Sequence, residues 1–270
     1  MTSATPRHFE LLAFHRTLGQ SEALAAAGVD GLILDFEQRG KHERQAGYDT
    51  EINQHALSDV ADLKAHTGAY LLCRINGPGP ETFREIDAVV AGGADEIIVP
   101  MIMRLDDAED IVRHIGRDAA ITLMVETREA VALAGEFSQL PVKRIYIGLN
   151  DLHISRGTAS IFAPFADGTL DAIRLAVEAP QFGVAGLTLP GRGHPIPVAM
   201  IYNELARIGA DFTFLRRSFY RDVETIVLSE AIGRMRREMA AAQSRSAEEI
   251  APAHAQLIAL VMEMQGKARV

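Results

Sequence analysis

The sequence predicts an α/β fold made of repeated strand–helix units, and three observations lead to this prediction. The chain has 270 residues, a length that α/β barrels commonly use for a single domain. Short β-branched apolar runs alternate with longer stretches of helical periodicity, which is typical of a parallel sheet. Eight such runs occur along the chain, and eight strand–helix units are the number that closes a (β/α)8 TIM barrel.

The apolar runs are interpreted in chain order as the strands of the barrel. They cover residues 9–14, 31–37, 69–75, 96–102, 121–125, 143–148, 185–190 and 211–215. The spacing of apolar positions between them predicts helices at about 21–27, 52–66, 128–137 and 170–178, with further helices beginning near residues 81 and 106. A polar loop at 38–50 is long for a barrel connection, and loops of that kind are typically functional or mobile.

The C-terminal part of the chain adds helices that a barrel does not require. A helix is predicted over 223–242, and a break at 244–246 separates it from a last helix. We therefore divide the chain into a barrel, residues 1–243, and a helical extension, residues 244–270. The last helix carries an apolar stripe made of Ile250, Leu257, Ile258, Val261 and Met262. The stripe covers either the end of its own barrel or a neighbouring subunit, and we favour the subunit because exposed apolar stripes mark interfaces.

Composition and charge exclude several classes of protein. The net charge of −9 and the scattered positions of the 27 basic residues argue against a nucleic-acid surface. Cys73 is the single cysteine, so an internal disulfide and a thiolate zinc cluster are excluded, as expected in a reducing cytoplasm. The first residues lack the order of a secretion signal, and no apolar stretch approaches the ~20 residues of a membrane span. We expect a cytoplasmic protein without membrane or nucleic-acid partners.

Charged side chains at the predicted C-terminal ends of the strands are the candidates for chemistry, because barrel enzymes place their active sites there. Glu126 ends a long apolar run, and a charge at that point needs solvent, a partner or a cation. With Asp151 on the next strand it forms the kind of oxygen-ligand pair that Mg²⁺ takes, and Mn²⁺ fits the same ligands. The other polar residues at strand ends are Asp35, Glu37, Arg74, Asn150, Arg192, His194, Arg216 and Arg217.

Each of these assignments has a purely structural alternative. Glu126 could cap the next helix or pair with Arg128, as charges in clefts often do. Asp151 and the asparagine before it could form a turn and a helix cap. Arg74 could hold an anionic substrate group in bidentate fashion, or it could pair with Glu37 in a structural ion pair.

Five ordered motifs give the chain a resemblance to a known family. They are GVDGLILDFE at 28–37, RING at 74–77, IVP at 98–100, VETREA at 125–130 and IGLNDL at 147–152. Together they resemble the HpcH/HpaI aldolase and citrate lyase β-subunit family over roughly residues 28–152. The resemblance implies a (β/α)8 barrel whose final helix is swapped onto a partner subunit. It therefore implies a homo-oligomer, a trimer or a hexamer.

The resemblance also implies an activity and roles for residues. It implies a metal-dependent carbon–carbon lyase that works through the enolate of a keto acid such as pyruvate or oxaloacetate. Glu126 and Asp151 would bind the divalent metal, Mg²⁺ in the first place. Arg74 would be the catalytic residue that holds the substrate's carboxylate or keto oxygen and stabilises the enolate.

Further substrate contacts follow from the same resemblance. Gly148 and Asn150 would meet the substrate carboxylate through their backbone. Gln38 would also contact the substrate. Glu37 would contact the residues that bind metal and substrate without binding either of them itself.

The sequence departs from the family pattern at the positions that move a proton. Gln38 stands where the aldolases have a histidine and the citrate lyase subunits an aspartate, and a glutamine does not exchange protons at neutral pH. Ala91 stands where an aspartate is expected, with Asp87 one turn earlier. The proton would then be moved by His153, by His194, by Arg74 through water or by the substrate itself.

Two alternatives for the function remain open at the sequence level. One is a citrate lyase-like or malyl/citramalyl-type lyase or thioesterase, in which Arg192 or Arg216 faces a phosphate of coenzyme A. The other is a non-catalytic relative that binds a keto acid, which the glutamine at position 38 keeps open.

Overall fold

The barrel predicted from the sequence is present in the structure. The structure is a computed structural model, which describes residues 7–39 and 55–267. Eight parallel strands each pair with the next, and β8 pairs with β1 to close the barrel. The strands are β1 (Glu10–Phe14), β2 (Gly31–Asp35), β3 (Leu71–Arg74), β4 (Glu96–Val99), β5 (Ala120–Val125), β6 (Arg144–Ile147), β7 (Gln181–Val184) and β8 (Phe212–Phe214).

Helices connect the strands and continue beyond the last of them. In the described residues they are Leu18–Ala26, Ser58–Thr67, Thr82–Ala91, Leu105–Ile115, Arg128–Ala132, Ala134–Ser138, Leu149–Arg156, Thr169–Ala176, Val198–Arg207, Ser218–Asp222, Leu228–Gln243 and Ala247–Lys267, with a 3-10 turn at Ala163–Phe165. None of these helices has both the length and the apolar character needed to cross a membrane. Most of the predicted polar loop, residues 40–50, and the predicted start of the helix at 52 lie outside the described residues.

The seventh strand lies earlier in the chain than predicted. It covers Gln181–Val184 and pairs with β6 and β8, whereas the apolar run 185–190 is irregular. Gly186 has a φ of +121°, which takes the chain out of the extended conformation directly after the strand. Inside the strand, a Cβ on Gly183 would lie 2.4 Å from the ring of Phe212, so packing requires a glycine that β propensity disfavours. Two predicted helices also differ: 128–137 is two short helices, and 223–242 begins at Leu228.

Two layers of apolar side chains form the core. Because side chains alternate along a strand, Leu12 of β1 faces the barrel interior while Leu11 and Ala13 face the surrounding helices. The interior layer consists of Leu12, Ile33, Leu72, Ile98, Met124, Tyr146, Phe212 and Phe214. The rings of Tyr146 and Phe214 stack with centroids 3.7 Å apart. The barrel is therefore filled by side chains, and the space available for a ligand lies at its end.

A buried ionic network closes the N-terminal end of the barrel. Arg144, at the start of β6, is 2 % exposed and donates hydrogen bonds to Glu96 at the start of β4 and to Glu10 at the start of β1. Glu96 also accepts hydrogen bonds from Thr122 and from the Tyr70 hydroxyl. These contacts tie the beginnings of several strands together, so we assign this end a structural role.

The last helix packs on its own barrel. Helix Ala247–Lys267 contacts helix Val198–Arg207, and Nδ1 of His254 lies 2.8 Å from a carboxylate oxygen of Glu204. Leu257 and Val261 of the apolar stripe are fully buried within the single chain, while Met262 is 56 % exposed. Most of the stripe is thus covered without a second subunit, and the exchange of this helix between subunits stays a prediction.

Replacing Arg144 with methionine should destabilise the protein. The variant leaves Glu96 buried at 0 % exposure without its main cation, and breaking a buried ion pair costs about 3–5 kcal/mol. Urea unfolding followed by circular dichroism should show a clear loss in the free energy of unfolding. Arg113→Met is the matched control, because the ion pair of Arg113 with Asp110 is exposed and such pairs contribute about 0–1 kcal/mol. Equal losses in the two variants would contradict a structural role for the network.

Cys73 should resist thiol reagents in the folded protein. The side chain is fully buried, and burial, followed by the charge of Asp95, raises the pKa of the thiol to about 12. Because the reactive form is the thiolate, labelling by iodoacetamide at pH 8 should require unfolding. Mass spectrometry along a urea titration should therefore show labelling that follows the unfolding curve. Rapid labelling before the transition would show that the third strand is accessible in the native state.

Candidate active site

A cavity of about 780 Å³ opens at the C-terminal end of the barrel strands. Its wall includes five of the residues for which a metal or substrate contact is predicted from the sequence: Arg74, Glu126, Gly148, Asn150 and Asp151. They arrive from the ends of β3, β5 and β6, as their positions in the chain require. The structure thus brings the predicted ligands and the predicted catalytic arginine into one space.

Glu126 is held by the backbone of the neighbouring strand end. Its carboxylate is 2 % exposed and accepts a hydrogen bond of 2.9 Å from the Met101 N–H. Met101 has a φ of +55°, the one positive value among the non-glycine residues that the structure describes. The helix after β5 is capped by Thr127, whose hydroxyl accepts from the Ala130 N–H, so Glu126 is not the cap.

Gly148 leaves the room that the Glu126 carboxylate occupies. A Cβ at this position would lie 2.5 Å from Oε2 of Glu126, which is closer than real side chains approach. Gly148 is also the N-cap of helix Leu149–Arg156, so neither Asn150 nor Asp151 occupies the capping position. Asp151 lies in the first turn of that helix and is 8 % exposed. The turn after β6 therefore presents a carboxylate and the first backbone N–H groups of the helix to the cavity.

Negative charge accumulates around Glu126. Burial, then the charges of Asp151 and Glu37, raise the pKa of Glu126 to about 8, against the opposing effects of Arg74 and of the Met101 N–H. One guanidinium thus does not balance the carboxylates gathered here. A bound cation would supply the missing positive charge.

Arg74 is fixed by two carboxylates on the neighbouring strand. Its Nε and Nη2 donate to the two oxygens of Asp35 at 2.9 and 2.7 Å, and its Nη1 lies 3.5 Å from Glu37. Burial alone would lower the pKa of Arg74, but Asp35 and Glu37 raise it overall. The guanidinium therefore stays charged, with its plane set by the bidentate pair. The predicted ion pair between Arg74 and Glu37 is present, and it is longer than the ion pair between Arg74 and Asp35.

Several predicted residues are not brought into the cavity. Gln38 is exposed, and its backbone N–H donates to the side chain of Asn76 at 2.9 Å. His153 lies beside Thr158, with its Nδ1 2.9 Å from the hydroxyl, and burial lowers its pKa. His194 and Arg192 are exposed in the segment after β7 and do not line the cavity. Of the proton carriers named from the sequence, Arg74 is the one that lines it.

Two histidines that are not predicted from the sequence lie next to Asp35. Nδ1 of His55 accepts a hydrogen bond of 2.8 Å from the Asp35 N–H, and its ring lies 5.1 Å from that of His15. Nδ1 of His15 lies 2.7 Å from the Ser21 hydroxyl. Burial is the main cause that lowers the pKa of both histidines. His15 could have been found from the sequence, because it directly follows the first apolar run and so lies at the end of a strand.

The donor set suits a hard divalent cation better than zinc. Among the described residues no group of three or more His, Cys, Asp or Glu side chains is placed to hold a metal by itself. Glu126 and Asp151 offer two carboxylates, and Mg²⁺ binds to one or two carboxylates while water and substrate oxygens fill the remaining positions. A structural zinc site would need four protein ligands. The residues present therefore fit Mg²⁺ or Mn²⁺.

Comparison with known proteins identifies the fold. No family model matches the chain, and no curated protein matches its sequence. Solved structures do match: an HpcH/HpaI aldolase from Desulfitobacterium hafniense DCB-2 has a TM-score of 0.60 and 12% identity, covering 80% of this chain and 89% of its own. An HpcH/HpaI aldolase/citrate lyase family protein from Burkholderia cenocepacia J2315 has a TM-score of 0.63 and 15% identity over 85% and 95% of the two chains.

A third similar structure carries a different name. It is citrate synthase SbnG, with a TM-score of 0.60 and 19% identity over 84% of this chain and 95% of its own. The chain therefore has the (β/α)8 barrel fold of the HpcH/HpaI aldolase and citrate lyase structures. The fold that the five motifs implied is confirmed.

Gly148→Ala should disturb the site while sparing the fold. The φ of Gly148 is −86°, which alanine adopts readily, but the new methyl group would displace the Glu126 carboxylate. We expect Mn²⁺ affinity, measured by calorimetry, to fall by about tenfold or more, since each 1.4 kcal/mol of lost binding is tenfold. In Gly135→Ala, the matched control, the added Cβ has its nearest neighbour at 3.8 Å, and Mn²⁺ binding should be unchanged. Unchanged binding in Gly148→Ala would separate Glu126 from metal binding.

Proposed function

We propose that this protein is a carbon–carbon lyase of the HpcH/HpaI aldolase and citrate lyase family. It would cleave or form a carbon–carbon bond at the carbon next to the keto group, through the enolate of a small keto acid such as pyruvate or oxaloacetate. Mg²⁺ or another divalent metal would be the cofactor. The observation that carries the proposal is the meeting of Glu126, Asp151 and a rigidly held Arg74 in one cavity. The shared fold with structures named as aldolases supports it.

Glu126 and Asp151 would hold the metal ion. When bound, a divalent ion polarises the carbonyl group of a substrate and offsets negative charge that develops on it. Glu37 is 2 % exposed and contacts Arg74. It would not bind the metal but would hold the arginine in place.

Arg74 would bind the carboxylate or keto oxygen of the substrate and stabilise the enolate that cleavage leaves behind. Asp35 and Glu37 fix its guanidinium before the substrate arrives, so no reorganisation is needed when charge develops. The ring of Phe14, 5.4 Å from the guanidinium carbon, covers one of its faces. Such fixed donors typically contribute a factor of about 10²–10³ in rate.

The turn after β6 would receive the substrate carboxylate. Gly148 and Asn150 line the cavity at the start of helix Leu149–Arg156. The first N–H groups of a helix have no acceptor inside it, and its dipole favours an anion at this end. The carboxylate would therefore bind through the backbone, without a further basic side chain.

The proton would be carried by Arg74 through water or by the substrate. Gln38 is exposed, and neither His153 nor His194 lines the cavity. Tyr146 does line it, and because burial raises the pKa of its hydroxyl, that group keeps its proton at neutral pH. The ring of Phe214, which stacks on Tyr146 and also lines the cavity, would limit the water that reaches an enolate.

A second candidate function is a lyase or thioesterase that acts on an acyl-coenzyme A. The observation that favours it is the position of Arg216 in the cavity wall, where it could meet a phosphate of the carrier. For either function we propose a cytoplasmic homo-oligomer, a trimer or a hexamer, with the exposed Met262 on the last helix at the contact.

Exchange of the methyl protons of pyruvate for deuterium tests the enolate chemistry. With Mg²⁺ or Mn²⁺ present, ¹H NMR should show exchange that Glu126→Gln, Asp151→Asn and Arg74→Lys each slow by about 100-fold or more. Arg104→Met is the control, because Arg104 is exposed and pairs with the exposed Asp106. No exchange by the unaltered protein with either metal would leave a keto-acid-binding protein rather than a lyase.

Metal binding, measured without substrate, independently tests whether Glu126 and Asp151 are metal ligands. Calorimetry of the metal-free protein with Mn²⁺ should show one site, and both Glu126→Gln and Asp151→Asn should abolish it, because each removes one of the two charged ligands. Full binding in both variants would overturn the metal assignment, whatever the exchange experiment shows.

A further inference from the structure

Four arginines line the same cavity from the ends of two strands that the metal site does not use. Arg16 follows β1, while Arg216, Arg217 and Arg221 follow β8. The order of strands places β8 and β1 next to each other and β5 halfway around the barrel from β1. The cavity therefore has Glu126 and Asp151 on one side and these four guanidiniums on the other.

Among the residues that the structure describes, guanidiniums outnumber carboxylates on the arginine side of the cavity. The acidic side chains near it are Glu224, which is exposed, and Asp222, which accepts a hydrogen bond of 2.8 Å from the Thr188 hydroxyl. Burial lowers the pKa of Arg216, and Arg221 and Arg217 lower it further, against the opposing charge of Asp222. Within the described part of the chain no carboxylate lies in ion-pair distance of the Arg216 or Arg221 side chain.

We propose that Arg16, Arg216, Arg217 and Arg221 bind a phosphate group carried by the carbonyl partner of the reaction, so that the substrate class is a phosphorylated aldehyde together with a keto acid. A phosphate carries up to two negative charges and accepts bidentate hydrogen bonds from several guanidiniums at once, whereas one arginine suffices for a carboxylate. The loops after strands 7 and 8 are also where barrel enzymes frequently hold phosphate. This inference rests on the proposed lyase function.

The phosphate takes no part in the chemistry. In the direction of bond formation, the enolate carbon of pyruvate attacks the aldehyde carbon, and a carbon–carbon bond forms. The electron pair of the aldehyde C=O bond moves to its oxygen, which takes up one proton and becomes a hydroxyl. One proton has been lost from the pyruvate methyl group, so the number of protons balances. Cleavage runs through the same steps in reverse. The arginines would fix the far end of the partner and so orient its carbonyl towards the enolate.

A matched pair of aldehydes tests the inference. With pyruvate as donor, kcat/KM for D-glyceraldehyde 3-phosphate should exceed that for D-glyceraldehyde by about tenfold or more, because charge-assisted hydrogen bonds contribute about 1.5–3 kcal/mol. Arg216→Met and Arg221→Met should bring the ratio close to one, and Arg216→Lys should recover part of it. Arg104→Met removes an exposed arginine outside the cavity and should keep the ratio of the unaltered protein.

Direct binding separates a failure of this inference from a failure of the proposed function. Inorganic phosphate should bind to the protein in calorimetry more tightly than succinate, and Arg216→Met but not Arg104→Met should weaken that binding. Pyruvate exchange without any preference for the phosphorylated aldehyde would overturn the phosphate site and leave the lyase function intact. Phosphate binding that depends on Arg216 without pyruvate exchange would support the site and remove the proposed function.

Two further outcomes would also overturn the proposal. Tighter binding of succinate than of phosphate would assign the arginines to a second carboxylate. Displacement of phosphate by coenzyme A, with thioesters turned over and phosphorylated aldehydes ignored, would assign them to the carrier of an acyl group.

Discussion

The pairing of Arg74 with Asp35 is the contact on which the candidate site depends. The register of β2 and β3 places the two residues side by side at the ends of their strands, so the backbone ladder determines which groups meet. Asp35 is 1 % exposed, and an isolated carboxylate could not remain charged at that depth. Asp35 in turn fixes the plane of the Arg74 guanidinium through two hydrogen bonds. One contact therefore compensates a buried charge and holds a cation in a fixed orientation at the cavity.

The two ends of the barrel use buried ion pairs for different purposes. Arg144 at the N-terminal end is 2 % exposed and pairs with Glu96 and Glu10, so its contacts hold strands together. Arg74 at the other end is 14 % exposed and lines a cavity of about 780 Å³. The apolar layer inside the barrel separates the two networks. A change at one end should thus leave the charge balance of the other unaltered.

Strand periodicity predicted most of this arrangement, but pairing across the chain could not be predicted. Seven of the eight apolar runs coincide with strands, since buried parallel strands are apolar on both faces. The seventh strand was not predicted because it contains Gly183, a residue that strands disfavour but that leaves room here for the ring of Phe212. The contact between Arg144 and Glu10 joins residues 134 positions apart, and the choice of Asp35 over Glu37 as the main partner of Arg74 follows from register. Such facts depend on three-dimensional neighbours rather than on local pattern.

The distribution of charge in the cavity is the reason why we propose a two-part substrate rather than a single small acid. Under the proposed function, a cation would bind in the region of Glu126 and Asp151, while an anion would bind in the region of the arginines after β8 on the other side of the cavity. A keto acid alone would leave the second region unmatched at a cost in electrostatic free energy. A partner with its own anionic group would satisfy both regions and would be oriented by them. The same opposition of charges that would bind the two parts would also bring their reacting carbons together.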